Sequence, residues 1–173
     1  MSVRFRTASA VPAFVLLLQF LGSHAAAAGP PEACSLLSPS EVAKITGDEA
    51  PIHTPSVGPN SSGCVWAAKR SPNTTADVSI GLFDSAAKAQ EGLKRLGDLE
   101  SYKKVLKPGD TIEPDRVAGM PAVFQVLHGP AHMYVVKGNM IVSAGVNRVW
   151  SDGKIEPDRA RSRSLLAAAV GKL

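Results

Sequence analysis

From Asp77 to Phe83, the apolar residues Val78, Ile80 and Leu82 alternate with Ser79 and Gly81. This period of two predicts a strand with one face on a core and the other near solvent. Cys64 to Ala68 reads as a strand just before it, with Ser71-Pro72-Asn73 supplying the turn between them. Ala122 to His128 sets Phe124 and Val126 on one face and Val123 and Leu127 on the other. Gly129-Pro130 breaks that run, and His132 to Lys137 follows as another strand. Gly138-Asn139 is a two-residue hairpin signal leading into Met140 to Asn147. That last run is apolar on both faces, which predicts a central place in the sheet.

Elsewhere the apolar spacing changes to three and four, and helices are expected. Around residues 38–46 several start signals agree: Ser38 as N-cap, Pro39 at the first helical position and Glu41 completing a capping box. Leu37 and Val42 are placed to pack across that cap, and Gly47 supplies a left-handed stop. A second helix runs from Asp84 or Ser85 to about Leu99, with Ala86, Ala89, Leu93 and Leu96 as its apolar stripe. A terminal helix starts at Pro157 or Asp158 and ends near Leu173, burying Leu166, Ala169, Val170 and Leu173. The stretch from Asp48 to Gly63 is rich in Pro, Ser, Gly and Asn and reads as a loop. Lys107 to Asp110 and Val117 to Pro121 read as turns. The expected order is α-β-β-α-β-β-β-α. It describes an α+β sandwich in which a mainly antiparallel sheet of about five strands packs with three helices.

The N-terminus follows a different pattern. Arg4 and Arg6 precede an apolar run from Val11 to Leu21, and Ala25 to Gly29 are all small. A basic segment, an apolar segment and a small-residue site together read as a secretory signal peptide, with cleavage expected after Ala28. The apolar run is about half of the ~20 residues a membrane-spanning helix needs. Residues 1–28 are therefore expected to leave, with 29–173 as a single α+β domain and no transmembrane segment after cleavage. Pro31-Glu32-Ala33 before Cys34 departs from the small-residue pattern of a lipid-attachment site, so a soluble periplasmic or secreted product is expected.

Composition adds little about partners. Losing Arg4 and Arg6 takes the 19 basic side chains to 17, against 15 acidic ones. That surplus is too small and scattered to argue for nucleic acid or an anionic membrane. Cysteine usage says more, because Cys34 and Cys64 are the only two. An even count in an exported chain points to a disulfide. Closing a loop of about 30 residues stabilises the fold by roughly 3–4 kcal/mol in the chain-entropy model. The alternatives are two free thiols or a redox pair, the latter normally needing cysteines two residues apart.

Candidate chemistry is sparse. There is no Gly-x-Ser-x-Gly elbow, and no catalytic residue, cofactor or metal site is assigned. His128 and His132 are four apart, but Gly129-Pro130 excludes the helix that would align them. Across a hairpin they could still share zinc with a carboxylate, although flanking an exposed turn is the simpler reading. His53 lies in a Pro-rich loop and is expected to be solvated. Two carboxylate groups, Asp110 with Glu113 and Asp115, and Asp152 with Glu156 and Asp158, are candidates for general acid–base work. Their interleaving with Lys, Arg, Pro and Gly fits solvent-exposed turns better. Arg159, Arg161 and Arg163 spread over about 200° of a helix, which suits a solvated surface more than a phosphate site. Asn60-Ser61-Ser62 and Asn73-Thr74-Thr75 match the glycosylation sequon, and with a bacterial-type signal both are read as chance. Trp66 is expected to pack against the disulfide, and Tyr134 and Trp150 to pack in the core or line a groove.

Two stretches are familiar: Ala33-Cys34-Ser35-Leu36-Leu37 leading to Ser40-Glu41-Val42, Gly47 and Cys64-Val65-Trp66, and Val117-Ala118-Gly119-Met120-Pro121-Ala122 before Lys137-Gly138-Asn139. Together they resemble a group of small exported bacterial proteins and lipoproteins of unknown function. Their domain is similar to the PsbP-like α/β sandwich and to extracellular sensor domains of bacterial kinases. The resemblance implies the two-cysteine staple and the sandwich, and no catalytic residues. The expected function is a non-enzymatic envelope module that binds a small molecule, peptide or envelope protein through a groove on the sheet. The alternatives are an envelope enzyme with dispersed His and carboxylate groups, and a lipid-anchored or soluble assembly factor with an exposed apolar patch.

Overall fold

A computed structural model of the chain describes residues 29–48, 52–68 and 73–173. The expected signal peptide over 1–28 lies outside them, as does most of the turn expected at Ser71-Pro72-Asn73. The chain begins with a single helical turn, α1 (Ala33–Leu36), then α2 (Pro39–Thr46). Three strands follow, β1 (Ile52–Gly58), β2 (Ser61–Ala67) and β3 (Asn73–Leu82). After α3 (Ala86–Leu96) and α4 (Leu99–Tyr102) come β4 (Thr111–Val117), β5 (Met120–Val126), β6 (Ala131–Lys137) and β7 (Met140–Val149). The chain closes with β8 (Ile155–Pro157) and α5 (Arg159–Val170).

The strands form one antiparallel sheet in the order β1-β2-β3-β7-β6-β5-β4, with β8 continuing beside β7 where β6 has ended. Two meanders thus meet at β3 and β7, and the apolar run over Met140 to Asn147 is central, as its sequence predicts. The side chain of Asn147 bridges the step between β6 and β8, accepting from Ala131 N–H at 2.7 Å.

The expected five strands and three helices are corrected to eight strands and five helices among the described residues. The missed elements have physical reasons. β1 is an edge strand whose residues are nearly all exposed, so it carries no alternation, and Pro55 is tolerated there. β4 is the other edge and reads as charged because Glu113 and Asp115 point at arginines rather than at a core. β8, α1 and α4 are too short to show a period.

The three expected helices form with the expected caps. Ser38 and Glu41 make the capping box, Gly47 ends α2 at φ 77°, Ser85 caps α3 and Asp158 caps α5. One face of the sheet packs under α1, α2 and α5 around Trp66, Val78, Met133, Val142 and Leu165, all fully buried. Cys34 and Cys64 are joined by a disulfide that ties α1 to β2, and Trp66 lies in the same cluster. The other face meets α3 mainly over β5, β6 and β7, and Tyr102 of α4 joins Leu93, Val123 and Ile112 of β4 in the cluster there.

Candidate functional site

Because residues alternate across a sheet, β1, β2 and β3 present Thr54, Ser56, Val65, Thr75, Asp77 and Ser79 on the α3 side. Among the described residues no helix packs closely over this part, and Thr54, Ser56, Val65 and Ser79 are exposed. α3 sits close to the sheet at Gly92, where an added Cβ would approach Ile141 Cδ1 to 2.9 Å. The helix therefore stands as a wall beside an open shelf of strands.

At the foot of that wall Asp77 on β3 reaches His132 on β6, with Oδ1 3.4 Å from Nε2. Their side chains are 20% and 34% exposed. The strand between them, β7, places Gly145 opposite Asp77. A Cβ at Gly145 would press into the Ala131 carbonyl oxygen and come within 2.7 Å of Asp77 Oδ1 and 3.0 Å of His132 Cδ2. The glycine is what lets a carboxylate and an imidazole meet across an intervening strand. Contact with Asp77 raises the His132 pKa above its ordinary 6.5, against the opposing pull of burial. Tyr134, with its ring centroid 6.2 Å from that of His132, is pushed up to about 12 by burial, then by the Asp77 charge and Tyr102.

A second row runs beside the first: Ser56, Gly63, Ser79, Ser143 and Tyr134 are successive partners across β1, β2, β3, β7 and β6. A Cβ at Gly63 would lie 2.6 Å from Ser56 Oγ and 3.4 Å from Ser79 Oγ, so short residues keep this floor low. The shelf thus offers hydroxyl donors and acceptors around one carboxylate whose charge is balanced by a single titratable neighbour.

The other expected site residues disperse. His128 does not join His132; its N–H donates to Asp110 Oδ1 at 2.7 Å and its Nδ1 lies 3.3 Å from Oδ2. Both His128 and Gly129 have positive φ, as the tight β5–β6 hairpin requires. Glu113 and Asp115 leave Asp110 and bind α5. Arg159 pairs with both, and Arg163 donates to Asp115 at 2.8 Å. The Arg159 guanidinium also stacks over the Phe124 ring at 4.6 Å. Burial pushes the Asp115 pKa up. Hydrogen bonds from Arg163, the Arg116 N–H and Arg159 outweigh it and hold the carboxyl at about 2.

Asp152 bonds within its own turn, Glu156 accepts from Trp150 Nε1 at 3.3 Å, and Asp158 pairs with Arg161. No group of three His, Cys, Asp or Glu suited to a metal occurs among the described residues. His53 is exposed on β1, Asn60 lies in the β1–β2 turn and Asn73 begins β3. Trp150 sits past the far end of β7, 37% exposed, and does not share the shelf with Tyr134. The large exposed apolar residues Ile52, Val57, Val65, Leu99, Val105 and Trp150 are scattered over several elements. No described helix is long and apolar enough to cross a membrane.

Asp77 escaped the sequence reading, which took it only as the first residue of a strand. Two signals were present: an acid on the polar face of an alternating strand, and a lone glycine, Gly145, inside an apolar one.

No family model matches the chain, and no curated protein matches it. Among solved structures it is similar to the extracellular domain of PknH from Mycobacterium tuberculosis. The two share 12% identity with a TM-score of 0.48, over 79% of this chain and 91% of that one.

Proposed function

We propose that this chain is an exported, disulfide-stapled envelope module that binds its ligand on the open shelf beside α3, without catalysing a reaction. The observation that carries this is the Asp77–His132 pair, held across Gly145 beside a part of the sheet that no helix among the described residues covers. A partly exposed carboxylate and imidazole, flanked by serine and threonine hydroxyls, supply the few convergent polar groups a binding site needs. Export is supported by the N-terminal pattern over residues 1–28 and by the Cys34–Cys64 disulfide, which suits an oxidising compartment. The sequence resemblance to small exported PsbP-like domains supports the same placement.

A second reading is favoured by the same pair: His132, oriented by Asp77, is an acid–base group. It faces an open sheet rather than an enclosed cavity that would exclude water, so binding is the better account. Amide NMR mapping with a fragment set spanning amines, carboxylates, sugars and aromatics tests the binding proposal. Shifts concentrated on Thr75, Asp77, Ser79, His132 and Ser143 are expected. Shifts confined to other surfaces, or none at all, contradict the proposal, and turnover of a fragment would favour the enzyme.

A further inference from the structure

The Asp77 carboxylate is four-fifths shielded from solvent, and its one charged contact among the described residues is His132, at a long 3.4 Å. A shielded carboxylate is stabilised only by a cation or by several donors. Within the shelf, the described residues of β1, β2 and β3 that face the α3 side include no lysine or arginine. The neighbouring side chains Thr75 and Ser79 are acceptors as well as donors, and Ser143 lies beside Ser79 on β7. Resting on the reading of this shelf as a binding site, we propose that its ligand carries a primary ammonium group that docks on Asp77 in competition with the proton of His132.

The chemistry selects this class. An ammonium brings three N–H donors and a compact charge, matching one carboxylate with the Thr75 and Ser79 hydroxyls on the same face of its strand. A carboxylate or phosphate would meet Asp77 with, among the described strand residues of the shelf, only protonated His132 to offset it. A metal ion would have only Asp77 and His132 as side-chain ligands of the usual kinds. Neutral His132 leaves Asp77 its full charge and offers a lone pair of its own. Protonated His132 occupies the carboxylate and repels a second cation.

The groups facing His132 are few. β3 contributes Asp77, its own strand Tyr134, and α4 Tyr102 beyond Tyr134. β5 contributes Gln125, whose amide donates to the Leu96 carbonyl, and β7 only Gly145 and Ser143. On α3 the charged residues Lys88, Glu91, Lys94 and Arg95 are exposed; Lys88 pairs with Asp84 and Arg95 with Glu91. The elevated His132 pKa agrees with the Asp77 contact favouring the protonated imidazole.

The test is an NMR titration of the protein with n-butylammonium, 1-butanol and butyrate, which share a chain and differ in head group, between pH 5.5 and 8.5. The expected result is saturable shifts at Asp77, Ser79 and His132 with n-butylammonium alone, and affinity falling about tenfold per pH unit once His132 is mostly protonated. Asp77→Asn should lose at least about tenfold in affinity, the loss of a charge-assisted contact. His132→Gln, which removes the competing proton together with the imidazole lone pair, should flatten the pH dependence of the affinity that remains, and a pH dependence that persists in it overturns the competition even if Asp77→Asn folds poorly. Equal binding of butanol or butyrate overturns the ammonium assignment while leaving the shelf a binding site. Affinity that is constant or rises toward low pH overturns the competition. Failure of all three compounds also overturns the proposal; the fragment mapping then decides separately whether the shelf binds anything.

Discussion

The two faces of the sheet are built from alternate residues of the same strands, yet their buried acids are balanced differently. On the α5 face Asp115, 7% exposed, is met by Arg159 and Arg163, whose charge does not change in any ordinary pH range. That arrangement fastens the edge strand β4 to the terminal helix and leaves the carboxylate nothing further to bind. On the α3 face Asp77, 20% exposed, is met by one imidazole, a partner whose charge changes with pH. The disulfide, Trp66 and the largest apolar cluster all lie on the first side. The second side is covered by α3 over β5, β6 and β7, and among the described residues no helix covers it over β1, β2 and β3. Permanent pairing goes with structure, and conditional pairing on open strands is where binding is proposed.

Neighbouring residues that point to opposite faces give the sharpest way to break this contrast. Trp66→Ala, in the closed face, should cost ~3–5 kcal/mol. Val65→Ala, on the shelf and 47% exposed, should cost under ~1 kcal/mol. Urea denaturation of both variants decides it, and similar losses would mean the faces are not energetically distinct. Next in size, replacing Cys34 and Cys64 together by serine should lower stability by roughly 3–4 kcal/mol. The amide spectrum of the shelf should stay largely unchanged. Gly145→Ala should cost ~1–3 kcal/mol through crowding in a packed region. The same variant should bring the His132 pKa back down by parting it from Asp77, read from its imidazole signals.

The smallest effects are in pH dependence, and the two faces respond at opposite ends. Asp115 is depressed from 3.8 to about 2, so its contribution is complete above 3.8 and lost as pH falls toward 2. His132 is raised, so its contribution is complete below 6.5 and lost as pH rises through its folded value. Urea midpoints measured against pH should fall at both ends. Asp115→Asn should flatten the acid limb, and Asp77→Asn the limb above 6.5.

Much of this was legible in the residues. Ser38-Pro39-Ser40-Glu41 announced α2 because every cap signal there is local, and the apolar run over Met140 to Asn147 announced the centre of the sheet. β1 was not legible, since an exposed edge strand needs no apolar alternation, and Ile52 to Gly58 reads as a loop in isolation. β4 misled for the opposite reason, because its charged residues are paired with a helix distant in sequence. The candidate site failed the same way. Asp77, His132 and Gly145 lie on three strands whose adjacency follows from β3 pairing with β7 across two intervening helices and three strands. Local spacing put His128 and His132 on either side of a turn but could not show that each meets a different carboxylate, Asp110 and Asp77.

The most direct test of the conditional pairing on the α3 face is an NMR pH titration of the His132 imidazole in the native protein and in Asp77→Asn. The account expects His132 to titrate above 6.5 in the native protein and to fall in the variant as its carboxylate partner becomes neutral. A His132 that titrates at or below 6.5, or that ignores the substitution, would contradict the pairing and remove the anchor of the proposed site.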